Sequence, residues 1–163
     1  MDTKSRQYHI YRDGARCIIK DPSKTHILYR YALRHVGFFS RPAIEVYRAD
    51  KSDRHLATIS TNWGLTKYTV TTHPKEDRIV IKSRRIFFKG VRSAFTFEGR
   101  EYEWNSDRWL REVGTGTVIA RFERRYWAIN KVGVLEVTKE NVHILDVILF
   151  SWLAVHYNKG EDE

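Results

Sequence analysis

The chain has a single cysteine, Cys17, so no internal disulfide is available and a reducing compartment fits. A secreted chain without disulfides stays open as the alternative. Met1 to Arg6 leads into no apolar run of signal-peptide length, so a cytoplasmic protein is expected, peripheral to a membrane if it meets one. Acids are short: 20 Asp+Glu stand against 29 Lys+Arg, a formal net charge of +9. Such a field draws polyanions, whether anionic lipid head groups or nucleic acid. The plainer reading of the same charge is solubility alone.

Catalytic signatures are missing too. The seven histidines (His9, His26, His35, His55, His73, His143 and His156) show no metal-ligand spacing with cysteine or a carboxylate. Gly114-Thr115-Gly116 precedes no helix, so it reads as a turn and not a phosphate loop. No serine sits in a nucleophile elbow, and Cys17 lies in an apolar strand where a thiol is inert. The expectation is a non-enzyme with no cofactor and no metal.

With 42% hydrophobic residues the chain is globular, and 163 residues read as one domain, with 1–7 and 159–163 flexible. Only 140–157 reads clearly as a long helix. Its apolar positions, among them Ile144, Leu145, Ile148, Leu149, Trp152 and Leu153, go round the whole cylinder. A helix apolar on every side must be enclosed. From Val142 to Tyr157 it is about 24 Å long. A bilayer core is about 30 Å thick and wants ~20 apolar residues. Asp146, Ser151, His143 and His156 interrupt the run as well, so burial in protein is preferred and no transmembrane segment is expected.

Everything before the helix reads as short strands about ten residues apart: 8–11, 15–20, 26–33, 43–48, 56–60, 66–71, 78–83, 86–89, 94–97, 101–104, 108–113, 117–122 and 133–138. Residues 37–42 read as a loop, and 124–130 either extend a strand or turn. About twelve strands with no helices between them predict a mainly β, closed antiparallel barrel, since closure removes exposed edges. A barrel of that size has room for more than side chains, and an all-round apolar helix is what would fill it.

The segments 95–104, Trp109, 118–122, 133–137 and 145–149 resemble the tubby C-terminal-like superfamily, which includes tubby proteins, phospholipid scramblases and LURP-one-related proteins. The order of elements covers nearly the whole chain, and the matching motifs lie within 95–155. The chain is most similar to a branch of small, mostly fungal domains without an established function. The resemblance implies a barrel around the C-terminal helix, and tubby domains bind phosphoinositides through basic barrel residues. The scramblases' acidic calcium segment and cysteine-rich stretch have no counterpart here.

Two basic clusters are candidate anion sites. One is Lys82, Arg84, Arg85, Lys89 and Arg92, beside Phe87 and Phe88. The other is Arg121, Arg124, Arg125 and Lys131, beside Tyr126 and Trp127. Guanidinium forks and ammoniums suit phosphates, and aromatics suit a membrane interface or base stacking. The plainer reading makes the cations a solvated strand face and puts these aromatics in the core. Asp146 is expected to be hydrogen-bonded by a strand Arg, Tyr or backbone group or to sit at the barrel mouth, or else to form an internal site. The functional expectation is anionic phospholipid at a membrane surface. The alternatives are a protein-interaction domain and, more weakly, a nucleic-acid-binding barrel.

Overall fold

The computed structural model describes residues 4–14, 16–34, 42–62, 64 and 66–159. Twelve strands run in chain order: β1 Ser5–Asp13, β2 Arg16–Lys20, β3 Ile27–Arg34, β4 Ala43–Arg48, β5 His55–Thr61 and β6 Lys67–Thr72. Then come β7 Arg78–Ile86, β8 Gly90–Phe97, β9 Arg100–Asn105, β10 Trp109–Glu112, β11 Val118–Arg124 and β12 Lys131–Thr138. Each strand pairs antiparallel with its chain neighbours, and β1 pairs with β12 to close the barrel. A 3-10 turn, Lys139–Ile144, then feeds the helix α1, Leu145–Lys159.

Strand number and helix fit each other by simple geometry. With strands about 4.8 Å apart and tilted about 40°, twelve make a barrel of radius about 12 Å, against about 8 Å for eight. Inward side chains fill about 6 Å of that radius and leave a bore that matches a helix with its own side chains. Ile148, Leu149, Trp152 and Leu153 are fully enclosed there against wall residues such as Ile10, Val46, Ile59, Val70, Ile81, Leu110 and Leu135. Leu145 is only half buried, because it stands in the first turn of α1 at the rim.

Polar groups of the helix are anchored at three levels. At its start, the Tyr29 hydroxyl donates to Asp146 and the Arg48 guanidinium lies 3.6 Å from the same carboxylate. Asp146 is thus held by a strand Tyr and a strand Arg at the mouth. Burial and the Asp146 charge both push the Tyr29 phenol above its usual range. Midway, Trp104 Nε1 donates to Ser151 Oγ at 2.9 Å. At the exit, His156 Nδ1 and Asp107 Oδ2 are 2.8 Å apart, and the Tyr157 hydroxyl lies 3.9 Å from Cys17 Sγ.

Several expectations are corrected. The α-helix begins at Leu145 and not near Val142, because the chain leaves β12 through a tighter 3-10 turn. Residues 5–7 are not frayed: Ser5, Arg6 and Gln7 pair with Thr138, Val137 and Glu136, since closure needs the start of β1. Residues 78–86 form one strand, 87–89 are a turn and not a strand, and β8 starts at Gly90. Of the two readings of 124–130 the turn holds: β11 runs on to Arg124, and 125–130 turn. Of the 37–42 loop only Pro42 is described, and 160–163 also lie outside the described residues.

Among the described glycines, Gly133 leaves the least room for a side chain. A Cβ there would meet the Glu123 carbonyl oxygen at 2.4 Å and the Phe122 ring at 2.5 Å. The Phe122 ring is itself packed on Trp152, with centroids 4.7 Å apart, so it has little room to yield. Gly133→Ala is expected to cost about 3 kcal/mol by overpacking, a fall of roughly 10 °C in melting temperature for a chain of this size. Thermal unfolding checks it; a shift within 1 °C would contradict so close a contact.

Candidate functional site

Because every neighbouring pair is antiparallel, the turns after odd-numbered strands gather at one end of the barrel and those after even-numbered strands at the other. The first is the end where α1 exits, as the contacts of His156 with the 106–108 turn show. The two ends differ sharply in chemistry. At the opposite end the turns 21–26, 49–54, 73–77, 98–99 and 113–117 mix acids and bases and carry no Phe, Trp, Tyr, Ile or Leu. At the exit end two turns project large apolar side chains into solvent. Phe87 and Phe88 are 84% and 97% exposed, and Tyr126, Trp127 and Ile129 are 76%, 100% and 92% exposed. No other large hydrophobic among the described residues is more than half exposed. The expectation that these aromatics lie in the core is overturned: each sits past the last ladder pair of its hairpin, where the wall offers nothing to pack against.

The 87–89 turn is tight, with Lys89 N–H donating to the Ile86 carbonyl at 3.0 Å. Phe88 adopts a left-handed φ of 61°, a conformation that glycine or asparagine takes far more readily than a bulky aromatic. The two rings meet edge to face, 4.5 Å between centroids.

The 125–130 turn is held on both flanks: Arg12 N–H donates to the Asn130 carbonyl at 2.6 Å and Arg125 N–H to the Val132 carbonyl at 3.1 Å. Beside it lies a cleft of about 420 Å³ lined by Arg12, Arg124, Arg125, Lys131, Tyr126 and Asn130, with Ala128 and Val132. It has four cations and no carboxylate in its lining. Arg124 lies over the Tyr126 ring at 5.4 Å, and Arg125 reaches Glu123 outside the cleft at 3.0 Å. Lys131 Nζ donates to His9 Nδ1 at 3.1 Å. Partial burial, with Lys24 and Arg125 nearby, holds Lys131 below the ordinary lysine range. Burial and the Lys131 charge likewise lower His9, so its ring stays neutral and can accept. Burial is the larger cause of both shifts, and the neighbouring cations add to it.

A second cleft of about 360 Å³ also carries arginines, Arg16, Arg30 and Arg34, but there the charge is largely answered. Arg30 pairs with Asp53, and Arg34 lies 3.6 Å from Glu45. Glu45 is buried on the wall and is bonded by His55 Nε2 at 2.5 Å and Thr58 Oγ1 at 2.7 Å. Nothing local in the sequence announces this cluster, since its members come from separate strands.

The cations named from sequence separate into three groups. Arg124 and Arg125 line the four-cation cleft, and Arg85 and Lys89 flank the 87–89 turn at the same end. Lys82, Arg84 and Arg92 lie on the flank of the barrel. Lys82 is exposed beside Lys67, Arg84 lies 4.0 Å from the nearly buried Glu103, and Arg92 covers the Trp109 ring at 5.5 Å. Glu103 is also held by Arg111 at 2.8 Å, so on the flank one buried carboxylate already draws two arginines. Arg121 stands mid-strand opposite Trp109 and Glu136, away from both turns. Arg12 joins the cleft without having been singled out. It is over a hundred residues away in sequence, and only the β1–β12 closure brings it there.

Among the described residues no cluster of His, Cys, Asp and Glu is arranged to hold a metal, and no helix is long and apolar enough to cross a membrane. The outer wall carries exposed Lys67, Lys82, Arg84 and Arg121. The lipid face of a membrane-spanning barrel instead carries an apolar band.

A closed twelve-strand antiparallel barrel threaded by its C-terminal helix, cationic and aromatic at one end, is the class that fold and surface define. The chain belongs to a family of unknown function, DUF6593, which matches residues 13–160. No curated protein matches it.

Proposed function

We propose that the protein is a non-enzymatic module that binds anionic phospholipid head groups, phosphoinositides among them, at a membrane surface through the exit end of the barrel. The observation that carries this reading is the cleft of four cations with no carboxylate, at the same end as Arg85 and Lys89. Each cation near an anionic leaflet contributes about 1 kcal/mol, so a handful gives measurable, salt-sensitive binding. Arginine forks match phosphate oxygens two at a time. The resemblance to tubby domains, which bind phosphoinositides through basic barrel residues, supports the same class of ligand.

Co-sedimentation of the purified protein with vesicles tests it. Neutral phosphatidylcholine vesicles are compared with vesicles carrying phosphatidylserine or phosphoinositide, at low and high salt. Selective binding to the anionic vesicles that weakens with salt is expected. Equal affinity for neutral and anionic vesicles at low salt would contradict the reading. Binding to none would turn attention to a protein partner, for which exposed Tyr, Trp and Arg are the usual anchors.

A further inference from the structure

We infer that the two aromatic turns, 87–89 and 125–130, are membrane-penetrating tips that enter the head-group and acyl boundary when the cationic end docks. The inference rests on the head-group reading above and adds an apolar, salt-resistant component to it.

Three observations converge. First, the five most exposed large apolar side chains of the described residues all lie in these two turns. Solubility disfavours all five, and the ring contacts they make, Phe87 on Phe88 and Tyr126 under Arg124, lie within the tips themselves. Second, Phe88 holds a left-handed φ of 61° in a tight turn. That conformation carries a backbone strain that a glycine or asparagine would avoid. Neither stability nor solubility accounts for a phenylalanine there, whereas an apolar contact outside the chain does. Third, both turns lie at one end of a rigid barrel, so one approach engages them together. The centres of the β7–β8 and β11–β12 hairpins are four strand spacings apart, which places the tips about 19 Å apart along the wall at ~4.8 Å per strand.

The occupant follows from shape and charge. These are two separate convex projections, not a groove or a flat patch. A protein partner would need two matching pockets at a fixed spacing, whereas a fluid bilayer moulds itself around projections. Amphipathic Trp and Tyr favour the depth of the head groups, with Phe and Ile entering further. Lys89, Arg124 and Arg125 beside the tips complement an anionic leaflet and stay at its surface while the rings enter.

The test places an environment-sensitive dye on single cysteines in the full chain. Cys17→Ser removes the native thiol and leaves a hydroxyl to meet Tyr157. Phe88→Cys and Ile129→Cys label the two tips, and Thr115→Cys labels the opposite end. On adding phosphatidylserine vesicles, the dyes at 88 and 129 are expected to shift to the blue and to be quenched by spin-labelled lipid; the dye at 115 is not. In parallel, the unlabelled variant Phe87→Ser, Phe88→Ser, Trp127→Ser, Ile129→Ser is expected to bind roughly a hundredfold more weakly and to be stripped by salt that leaves the wild type partly bound. Sedimentation with anionic vesicles while the tip dyes stay in a polar environment overturns penetration and leaves the head-group reading standing. Blue shifts of equal size on neutral vesicles overturn the head-group reading and leave penetration standing. No association with any vesicle overturns both.

Discussion

Leu149→Asp is expected to yield no folded protein. Leu149 is 1% exposed, inside α1 and enclosed by the barrel wall. Removing the leucine side chain alone costs about 2–5 kcal/mol in a packed core. An unpaired buried carboxylate adds roughly 3–5 kcal/mol more. Together these equal most of the about 5–15 kcal/mol that separates a native domain from its unfolded chain. Asp146, three residues earlier on the same helix, shows what makes a carboxylate tolerable: it stands at the mouth, accepts from Tyr29 and faces Arg48. No such partner surrounds Leu149, whose neighbours are apolar wall and helix residues. Expression, solubility and thermal unfolding of the variant check the point. A soluble protein melting within a few degrees of wild type would mean that the helix is not enclosed.

The barrel and its helix were legible because their signals are local. Alternation in Ala43–Arg48 and in the Gly90–Phe97 and Arg100–Asn105 pair marks strands, and an apolar surface all round α1 demands a container. Closure followed from strand count. What was illegible depends on where each ladder stops. Ile86-Phe87-Phe88 has the composition of a buried strand, and only the Ile86–Gly90 pairing shows that the two phenylalanines lie beyond the last rung. Lys89-Gly90 was the one available turn signal. Tyr126 and Trp127 misled in the same way, since adjacency to a core strand does not carry a side chain into the core once the strand has ended at Arg124.

The site was less legible than the fold for a related reason. Arg124, Arg125 and Lys131 are close in sequence, but the cleft needs Arg12, which arrives only through ring closure. Conversely, the flank run looked uniform in sequence, yet Arg84 and Arg92 are committed to Glu103 and Trp109. A list of cations cannot show which neighbour each one meets; the cross-strand register does.

Replacing Arg12, Arg125 and Lys131 together by glutamine is expected to weaken binding to phosphatidylserine vesicles by roughly a hundredfold at low salt, from about 1 kcal/mol per charge. Glutamine keeps the length and polarity of each side chain, and all three residues lie at the rim and not in the core, so melting is expected to stay near wild type. A charge-matched control at the opposite end, Lys51→Gln, Arg54→Gln, Lys75→Gln, removes the same net charge from exposed turns. The measurement that bears most directly on the whole account is co-sedimentation of wild type and these two triple variants with the same anionic vesicles. A large loss for the cleft variant and less than a twofold change for the control would place binding at the exit end. Equal losses would mean that net charge alone draws the protein to vesicles, and would contradict a binding end.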